Sequence, residues 1–270
     1  MRIRFWGVRG SIACPGPETV RYGGNTPCIE VRCGNHLIVF DAGTGLRALG
    51  DTLSDEDKMV DIFLTHCHLD HITGLPFFGP LFAEGRRIRL WAGNLLPANS
   101  IERVVRKVMS SPLFPVEVEI FRAAIEFHDF SAGDNLHPFD DVELRTAPLD
   151  HPGGCTGYRL EFGGRVFALL SDTEGFPGKR DKELVSLAKD ADLIVYDTTF
   201  TEQEIVNRAG WGHSTWERGV RLANEAGAKQ LCLFHHDPAH DDNFMDRVAA
   251  AANDARPGTV TARDGLIIDL

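Results

Sequence analysis

Three histidines and one aspartate lie within six positions of the segment T-H-C-H-L-D-H at 65–71. The largely apolar run at 61–64 predicts a β-strand that delivers these side chains at its carboxyl end. Imidazole and carboxylate are ligands that suit borderline divalent metals such as zinc. Two histidines at i and i+2 can project to one side of an extended segment and bind one ion. Asp70 and His71 then face a neighbouring position, so the segment predicts metal binding, while Cys67 alternates away and is interpreted as a packing residue.

Further ligand-type residues follow or end predicted strands later in the chain. They lie in Asp-His-Pro-Gly-Gly at 150–154, Ser-Asp-Thr at 171–173 and Phe-His-His-Asp at 234–237. A metal needs three or four protein ligands, and these segments supply enough candidates if they converge on one edge of the sheets. The alternative for 65–71 is a solvated polar turn. Four ligand-type residues in six positions disfavour that alternative.

Strands and helices alternate in a way that predicts two similar halves, each with a sheet and helices. Helices are predicted at 44–53, 99–109 with Ser100 as N-cap, 181–189, 216–226 capped by Ser214 or Thr215, and 244–255. Strands are predicted at 3–6, 28–33, 37–40, 60–64, 144–147, 158–162, 166–170, 193–196 and 230–234. The pattern predicts an α/β fold in which two sheets pack face to face with helices outside.

Composition restricts the class of protein. The chain has 270 residues, of which 43% are hydrophobic and 25% charged, so we expect one globular domain over 1–270. The N-terminus lacks the apolar core of a signal peptide, and no apolar run approaches the roughly 20 residues that span a bilayer. These features predict a cytoplasmic protein without a membrane partner. The six cysteines contain no C-x-x-C pair, so no disulfide framework or zinc ribbon is indicated.

The net charge of the chain restricts the classes of molecule that it can bind. The formal net charge is −11, and no run of basic residues is present, which argues against wrapping a nucleic-acid backbone. Two divalent cations would nevertheless make a local site strongly positive, so a small phosphorylated substrate remains compatible with an acidic protein. A homodimer is also compatible with the sequence, which does not define the oligomeric state.

Through T-H-x-H-x-D-H at 65–71 and a later His, Asp and His in the expected order, the sequence resembles the metallo-β-lactamase superfamily of hydrolases. The resemblance covers nearly the whole chain and implies a four-layer αβ/βα sandwich with the site at the sheet edges. It implies two divalent metal ions, zinc or manganese. In the implied ligand set, one metal is held by His66, His68 and His151, the other by Asp70, His71 and His235, and both by Asp172.

The choice of His235 over its neighbour follows from the resemblance. His235 directly ends the apolar run 231–234, as the last ligand does in relatives. Two interpretations remain open for His236, Asp237 and His240. They contact either the ligands from behind or the substrate, or they are ordinary loop residues. His36, His128 and His137 have no comparable context and are interpreted as ordinary surface or core residues.

Two further elements resemble the phosphodiesterase branch of the superfamily, which includes ribonuclease Z and small cyclic-phosphate phosphodiesterases. These are Asp-Thr-Thr-Phe at 197–200 and Gly-His-Ser-Thr at 212–215. The branch usually has Glu where this chain has Asp197. The resemblance implies catalytic roles for three residues: Asp70 orients a metal-bridging hydroxide, and His213, held by Asp197, binds the phosphoryl oxygen or protonates the leaving group. The alternative for His213 is a helix-entry residue before a Ser214 cap.

The function predicted from these features is cleavage of a small phosphodiester, such as a cyclic nucleotide or a nucleoside cyclic phosphate. A tRNA 3′-processing endonuclease is disfavoured, because the chain is acidic and lacks the Gly/Pro-rich insertion that forms a tRNA-gripping arm. A thioester or lactone hydrolase would use the same metals without the pair Asp197 and His213. A non-catalytic, metal-stabilised regulatory protein is the third alternative. In the loop 15–25, Arg21 and Tyr22 are candidates for phosphate and base contacts, although a structural loop is the favoured interpretation.

Overall fold

The first of two seven-stranded sheets is built almost entirely by the first half of the chain. The computed structural model describes residues 1–174 and 179–270, and in that part the strand order of this sheet is β14-β1-β2-β3-β4-β5-β6. Its strands are β1 (Arg2–Gly7), β2 (Cys28–Cys33), β3 (His36–Phe40), β4 (Met59–Leu64), β5 (Arg87–Ala92), β6 (Ala124–Asp129) and β14 (Ile267–Asp269). Strands β3 to β6 pair in parallel, so their carboxyl ends meet at one edge.

The second sheet is built by the second half of the chain, in the order β13-β12-β11-β10-β9-β8-β7. Its strands are β7 (Asn135–Phe139), β8 (Val142–Leu149), β9 (Cys155–Phe162), β10 (Arg165–Leu170), β11 (Leu193–Asp197), β12 (Gln230–Phe234) and β13 (Val260–Thr261). Strands β10 to β13 pair in parallel, whereas β7 to β10 form an antiparallel meander. The parallel strands again place several strand ends at a common edge.

Helices cover the outer faces of both sheets. They are α1 (Gly45–Gly50), α2 (Leu69–Ile72), α3 (Ile101–Val108), α4 (Lys179–Ala188), α5 (Trp216–Glu225) and α6 (Asp242–Ala255). Ser100 accepts a hydrogen bond from Arg103 N and caps α3 as predicted, and Thr215, the second of the two predicted candidates, caps α5. No helix in 1–174 or 179–270 is long and apolar enough to cross a membrane.

Three apolar clusters separate the structure into layers. The central cluster joins inward-facing side chains of both sheets, and the Phe40 ring lies 5.1 Å from Tyr158 and 5.6 Å from Phe167 between ring centroids. A second cluster packs α1 and α3 on the first sheet, and a third packs α4, α5 and α6 on the second. The predicted four-layer αβ/βα sandwich is therefore confirmed.

Five strands were not predicted from the sequence, and each has a physical reason. The missing strands are β5, β6, β7, β13 and β14. Strand β5 alternates buried and more exposed positions but carries charges, and Arg89 pairs with the buried Asp61 at 2.7 Å. Strands β6 and β14 close the two edges of the first sheet, and β7 and β13 those of the second, where polar or short segments suffice because one side remains unpaired.

Phe63 joins the two sheets and should be a major source of stability. Its ring contacts Phe40 and Trp91 of its own sheet, at centroid distances of 6.0 and 5.2 Å, and Tyr158 of the other sheet at 5.9 Å. We expect Phe63→Ala to lower the free energy of unfolding by about 3–5 kcal/mol. Urea unfolding measures this loss, and Phe77→Ala is the matched control because Phe77 is 57% exposed. Equal losses in both variants would contradict a core between the sheets.

Candidate metal centre

The segment after β4 changes from extended to helical within a few residues. His68 is extended, with φ −65° and ψ 156°, and it precedes the short helix α2, which carries Asp70 and His71. The predicted extended geometry therefore holds at His68 and does not continue to Asp70 and His71. The change of direction explains how one short segment serves two positions, because the last two ligand-type side chains leave the backbone from a helical turn.

A first group consists of three histidines. His66, His68 and His151 each place a ring nitrogen within 4.8 Å of the others, and His151 Nε2 lies 3.0 Å from His68 Nδ1. His151 Nδ1 donates to Gly212 O at 2.8 Å, which leaves Nε2 with a lone pair. Burial lowers the pKa of all three imidazoles, so they are neutral and suited to binding a metal.

A second group lies beside the first and contains carboxylates. Asp70 Oδ2 is 3.2 Å from His71 Nε2 and 3.4 Å from His235 Nε2. Asp172 lies between the groups, with Oδ2 3.5 Å from His71 Nε2 and Oδ1 3.2 Å from His235 Nε2. Asp172 also forms a potential ligand group with His66 and His71. The structure thus brings together all seven residues that were predicted as metal ligands.

The chemistry of this donor set fits divalent cations. The Nε2 atoms of His66, His71 and His235 are buried and make no well-formed hydrogen bond among the described residues, although buried polar atoms are normally satisfied. Those of His71 and His235 lie only at ion-pair distance from the carboxylates of Asp70 and Asp172. Burial would lower the pKa of His71, but the carboxylates of Asp41, Asp172 and Asp70 hold that pKa well above its usual range. This cluster of buried carboxylates needs positive charge, which bound cations supply.

Asp41 is a functional residue that sequence reasoning missed. It directly follows β3, is 1% exposed and has a left-handed backbone with φ 62°. Its Oδ2 lies 2.9 Å from His71 Nδ1, and its Oδ1 accepts a hydrogen bond from Thr65 N at 2.8 Å. A carboxylate on the far nitrogen fixes the ring so that Nε2 faces the cluster. The signal was an acidic residue at the end of a parallel strand, in the turn 41–45.

The loop after β1 was also missed. Ser11 N donates to Asp70 Oδ2 at 2.8 Å. A Cβ atom on Gly10 would lie 2.3 Å from Cε1 of the His235 ring, so only glycine fits there. No ligand-type residue lies at 8–13 around Gly10 and Ser11, and the role of this part of the loop depends on contacts with residues far along the chain.

Asp197, Thr199 and His213 form a connected group next to the cluster. Asp197 Oδ2 lies 2.9 Å from His213 Nδ1, and Asp197 Oδ1 accepts from Thr199 Oγ1 at 2.8 Å. Thr199 Oγ1 in turn lies 3.0 Å from His235 Nδ1. Burial would lower the pKa of His213, but the charge and hydrogen bond of Asp197 raise it to about 9. His213 Nδ1 is 4.0 Å from Asp172 Oδ1, so the pair lies beside the potential ligands.

The residues left open have other partners. His236 is buried and its Nε2 donates to Ala262 O at 2.8 Å, whereas His240 Nε2 lies 2.8 Å from Glu204 Oε1. Arg21 and Tyr22 both bind Asp246 of α6, which supports the structural interpretation of the loop 15–25. Three other residues also contact groups outside the site. Cys67 packs on the second apolar cluster, His36 pairs with Asp141, and His128 stacks on Trp91.

Comparison with known proteins identifies the family. Residues 36–236 match the family model described as "Beta-lactamase superfamily domain". The chain belongs to this family. The superfamily that the sequence resembled is therefore confirmed, and the match begins at β3 and ends two residues after β12, so it includes Asp41 and every potential ligand.

Curated relatives align with nearly the whole chain. Ribonuclease Z of Haloarcula marismortui is 26% identical over 315 residues, covering 98% of this chain and 96% of the relative. Ribonuclease BN of Cronobacter sakazakii is 27% identical over 328 residues, with 99% of each covered. These relatives support the predicted ribonuclease Z-like, phosphodiesterase branch, and the chain is a metal-dependent hydrolase of the superfamily.

Structural neighbours in the superfamily share the fold. The metallo-β-lactamase fold protein YhfI from Bacillus subtilis has a TM-score of 0.73 and 18% identity, covering 99% of this chain and 98% of its own. A diphosphatase from the PhnP family has a TM-score of 0.71 and 20% identity, covering 100% and 97%. The short form of human tRNase Z has a TM-score of 0.71 and 21% identity, covering 100% and 99%.

The orphaned nitrogens predict that divalent metal stabilises the folded superfamily domain. A ligand that binds only the folded state at 1,000 times its dissociation constant adds about 4 kcal/mol to the free energy of unfolding. We expect a gain of this order when chelator-treated protein is supplied with zinc or manganese, and loss of most of it in Asp172→Asn. The measurement is urea unfolding with and without metal. Asp141→Asn is the control on an exposed aspartate, and equal stability of the metal-free and metal-supplied wild type would refute the prediction.

Proposed function

We propose that this protein is a two-metal-dependent phosphodiesterase that cleaves a small phosphodiester, such as a cyclic nucleotide or a nucleoside cyclic phosphate. The observation that carries the proposal is the pair Asp197 and His213, in which His213 Nδ1 lies 2.9 Å from Asp197 Oδ2 and 4.0 Å from Asp172 Oδ1. The proposed ligands of one ion are His66, His68 and His151, those of the other are Asp70, His71 and His235, and Asp172 serves both. Zinc and manganese both accept this set of imidazoles and carboxylates.

Hydrolysis of a phosphodiester forms a P–O bond to the oxygen of water and breaks the P–O bond to the leaving group, whose oxygen takes up a proton. When bound, the two ions would make a hydroxide nucleophile available at neutral pH and neutralise charge on the non-bridging oxygens. Asp70, held by Ser11 N at 2.8 Å, would orient that nucleophile. Two requirements remain. The negative charge that develops in the transition state must be stabilised further, and the departing oxygen needs a proton.

His213 meets those requirements. Its Nδ1 is held by Asp197 at 2.9 Å, so Nε2 is the nitrogen that remains to bind a phosphoryl oxygen or to donate a proton to the leaving oxygen. The buried carboxylate of Asp197 stabilises the protonated ring, as the raised pKa of His213 indicates. Aspartate in place of the usual glutamate therefore still reaches the imidazole. A helix-entry role alone does not explain this pair, because Thr215 rather than Ser214 caps α5.

Two observations on the chain support a small substrate. It is acidic, with a net charge of −11, and offers no basic run for a polynucleotide backbone. The alignment with the Haloarcula ribonuclease Z extends over 315 residues, whereas this chain has 270, so the relative contains residues without a counterpart here. Both observations favour a small diester over a tRNA precursor.

Two other functions are separable from the proposal. A thioester or lactone hydrolase would not need Asp197 and His213 beside the metals. A non-catalytic, metal-stabilised regulatory protein would use the metal ligands but would leave unexplained both that pair and an open position for a hydroxide. Purified protein with quantified metal should therefore be offered a phosphodiester, a thioester and a lactone. Cleavage of the thioester or lactone without the diester would sink the phosphodiesterase proposal, and no turnover with both ions bound would favour a regulatory protein.

The role of His213 gives a sharper test. We expect His213→Ala to lower kcat for a diester about 10²- to 10⁴-fold, since general acid catalysis contributes that much. The loss should be larger for an alkyl leaving group than for a nitrophenyl one, because the poorer leaving group depends more on a proton. Initial rates and metal content measure this, with His36→Ala as a control away from the site. Loss of metal equal to the loss of rate, or equal losses for both leaving groups, would argue against an acid role.

A further inference from the structure

Glu174 is a buried carboxylate to which the proposed reaction assigns no part. It lies two residues after Asp172 and is 4% exposed. Its side chain accepts hydrogen bonds from Gly210 N at 2.9 Å and from Gly212 N at 3.1 Å. A carboxylate accepts hydrogen bonds at both oxygens and donates none, so it can hold two backbone N–H groups at once. Glu174 therefore holds the loop 210–213 in place through the backbone N–H groups of Gly210 and Gly212.

That loop controls a proposed metal ligand. Gly212 O accepts from His151 Nδ1 at 2.8 Å, which sets the tautomer and the orientation of the ring. Gly212 has φ 81°, and a Cβ atom there would lie 2.3 Å from His151 Nδ1. The backbone at 212 thus contacts the imidazole closely, and a shift of the loop would displace or release it.

The same loop carries the proposed acid. His213 follows Gly212 directly, so its reach to Asp197 depends on where the loop lies. The backbone of Glu174 adds two further connections: its N–H donates to Asp150 O at 3.0 Å, and its carbonyl accepts from Arg218 Nη1 at 2.6 Å. One residue therefore ties together the segment before His151, the segment after Asp172 and the loop before α5.

We infer that Glu174 is a positioning residue of the metal centre, which holds Gly212 O against His151 and His213 against Asp197. The inference rests on the proposed function for the roles of His151 and His213, but its first consequence is metal affinity. An outer hydrogen-bonding partner of a ligand commonly affects metal affinity or activity about 10- to 100-fold. Glu174 does not contact His151 itself. It holds the backbone of Gly212, whose carbonyl accepts the hydrogen bond from His151.

The experiment compares Glu174→Ala, Glu174→Gln and Glu30→Gln with the wild type. Glu30 is the matched control, because it is 7% exposed and accepts hydrogen bonds from Trp6 Nε1 and Arg32 Nε in the first sheet. Metal-free proteins are titrated with zinc against a chromogenic chelator, thermal unfolding is followed in parallel, and kcat and KM are measured with a phosphodiester. Glu174→Gln tests rescue, since an amide oxygen can still accept one of the two N–H groups.

We expect one of the two zinc ions to bind about 10- to 100-fold more weakly in Glu174→Ala. The other ion should be unaffected, kcat should fall more than KM rises, and Glu174→Gln should give an intermediate result. Glu30→Gln should keep both affinities even if it unfolds at a lower temperature. If Glu174→Ala or, should that variant not fold, Glu174→Gln binds both ions as the wild type does, the inference is overturned. Wild-type protein that binds two ions without cleaving a diester would refute the proposed function, and the affinities would still decide the role of Glu174.

Discussion

The structure depends on the high free-energy cost of burying charge between two apolar sheets. Asp70, Asp172 and Asp197 are all at most 8% exposed and lie at one edge of a sandwich whose central cluster is apolar. Each carboxylate must find protons, N–H groups or cations, because an unpaired buried charge costs several kcal/mol. The imidazoles around them meet part of this need. Ser11 N donates to Asp70, and the left-handed Asp41 holds the ring of His71, so both features pair groups that this burial removes from water.

Parallel strands provide the geometry that makes such a cluster possible. Strands β3, β4, β10, β11 and β12 all end at the edge where the potential ligands and their supports lie. Short connections after these ends carry Asp41, Asp172 and His235 into the cluster, and Asp197 is itself the last residue of β11. A backbone held by strand pairing on one side needs few additional restraints, and those it has come from side chains in the neighbouring loops.

The sequence predicts the parts of this arrangement that are local. Apolar runs identified nine strands, since buried strands are marked by their own composition, and T-H-x-H-x-D-H identified the metal-binding segment. The edge strands escaped because they are polar or short. Asp41, Gly10 and Glu174 escaped for a different reason: their partners His71, His235 and Gly212 are distant in the chain. The position of Asp41 at the end of a strand is a weak local signal, and a lone glycine or glutamate in a loop has none that distinguishes a hydrogen-bonded support from a turn or a solvated residue.

The division of the site between the two sheets has a consequence for how the protein folds. The first sheet supplies His66, His68, Asp70 and His71, and the second supplies His151, Asp172 and His235. Neither half contains a full ligand set, so the site can assemble only after long-range docking of the halves, which is a slow class of folding step. A cation would then select the docked state over partly folded ones. Metal occupancy would therefore report that both sheets have come together in register. It would be complete only when β12, the last strand to place a potential ligand, has docked.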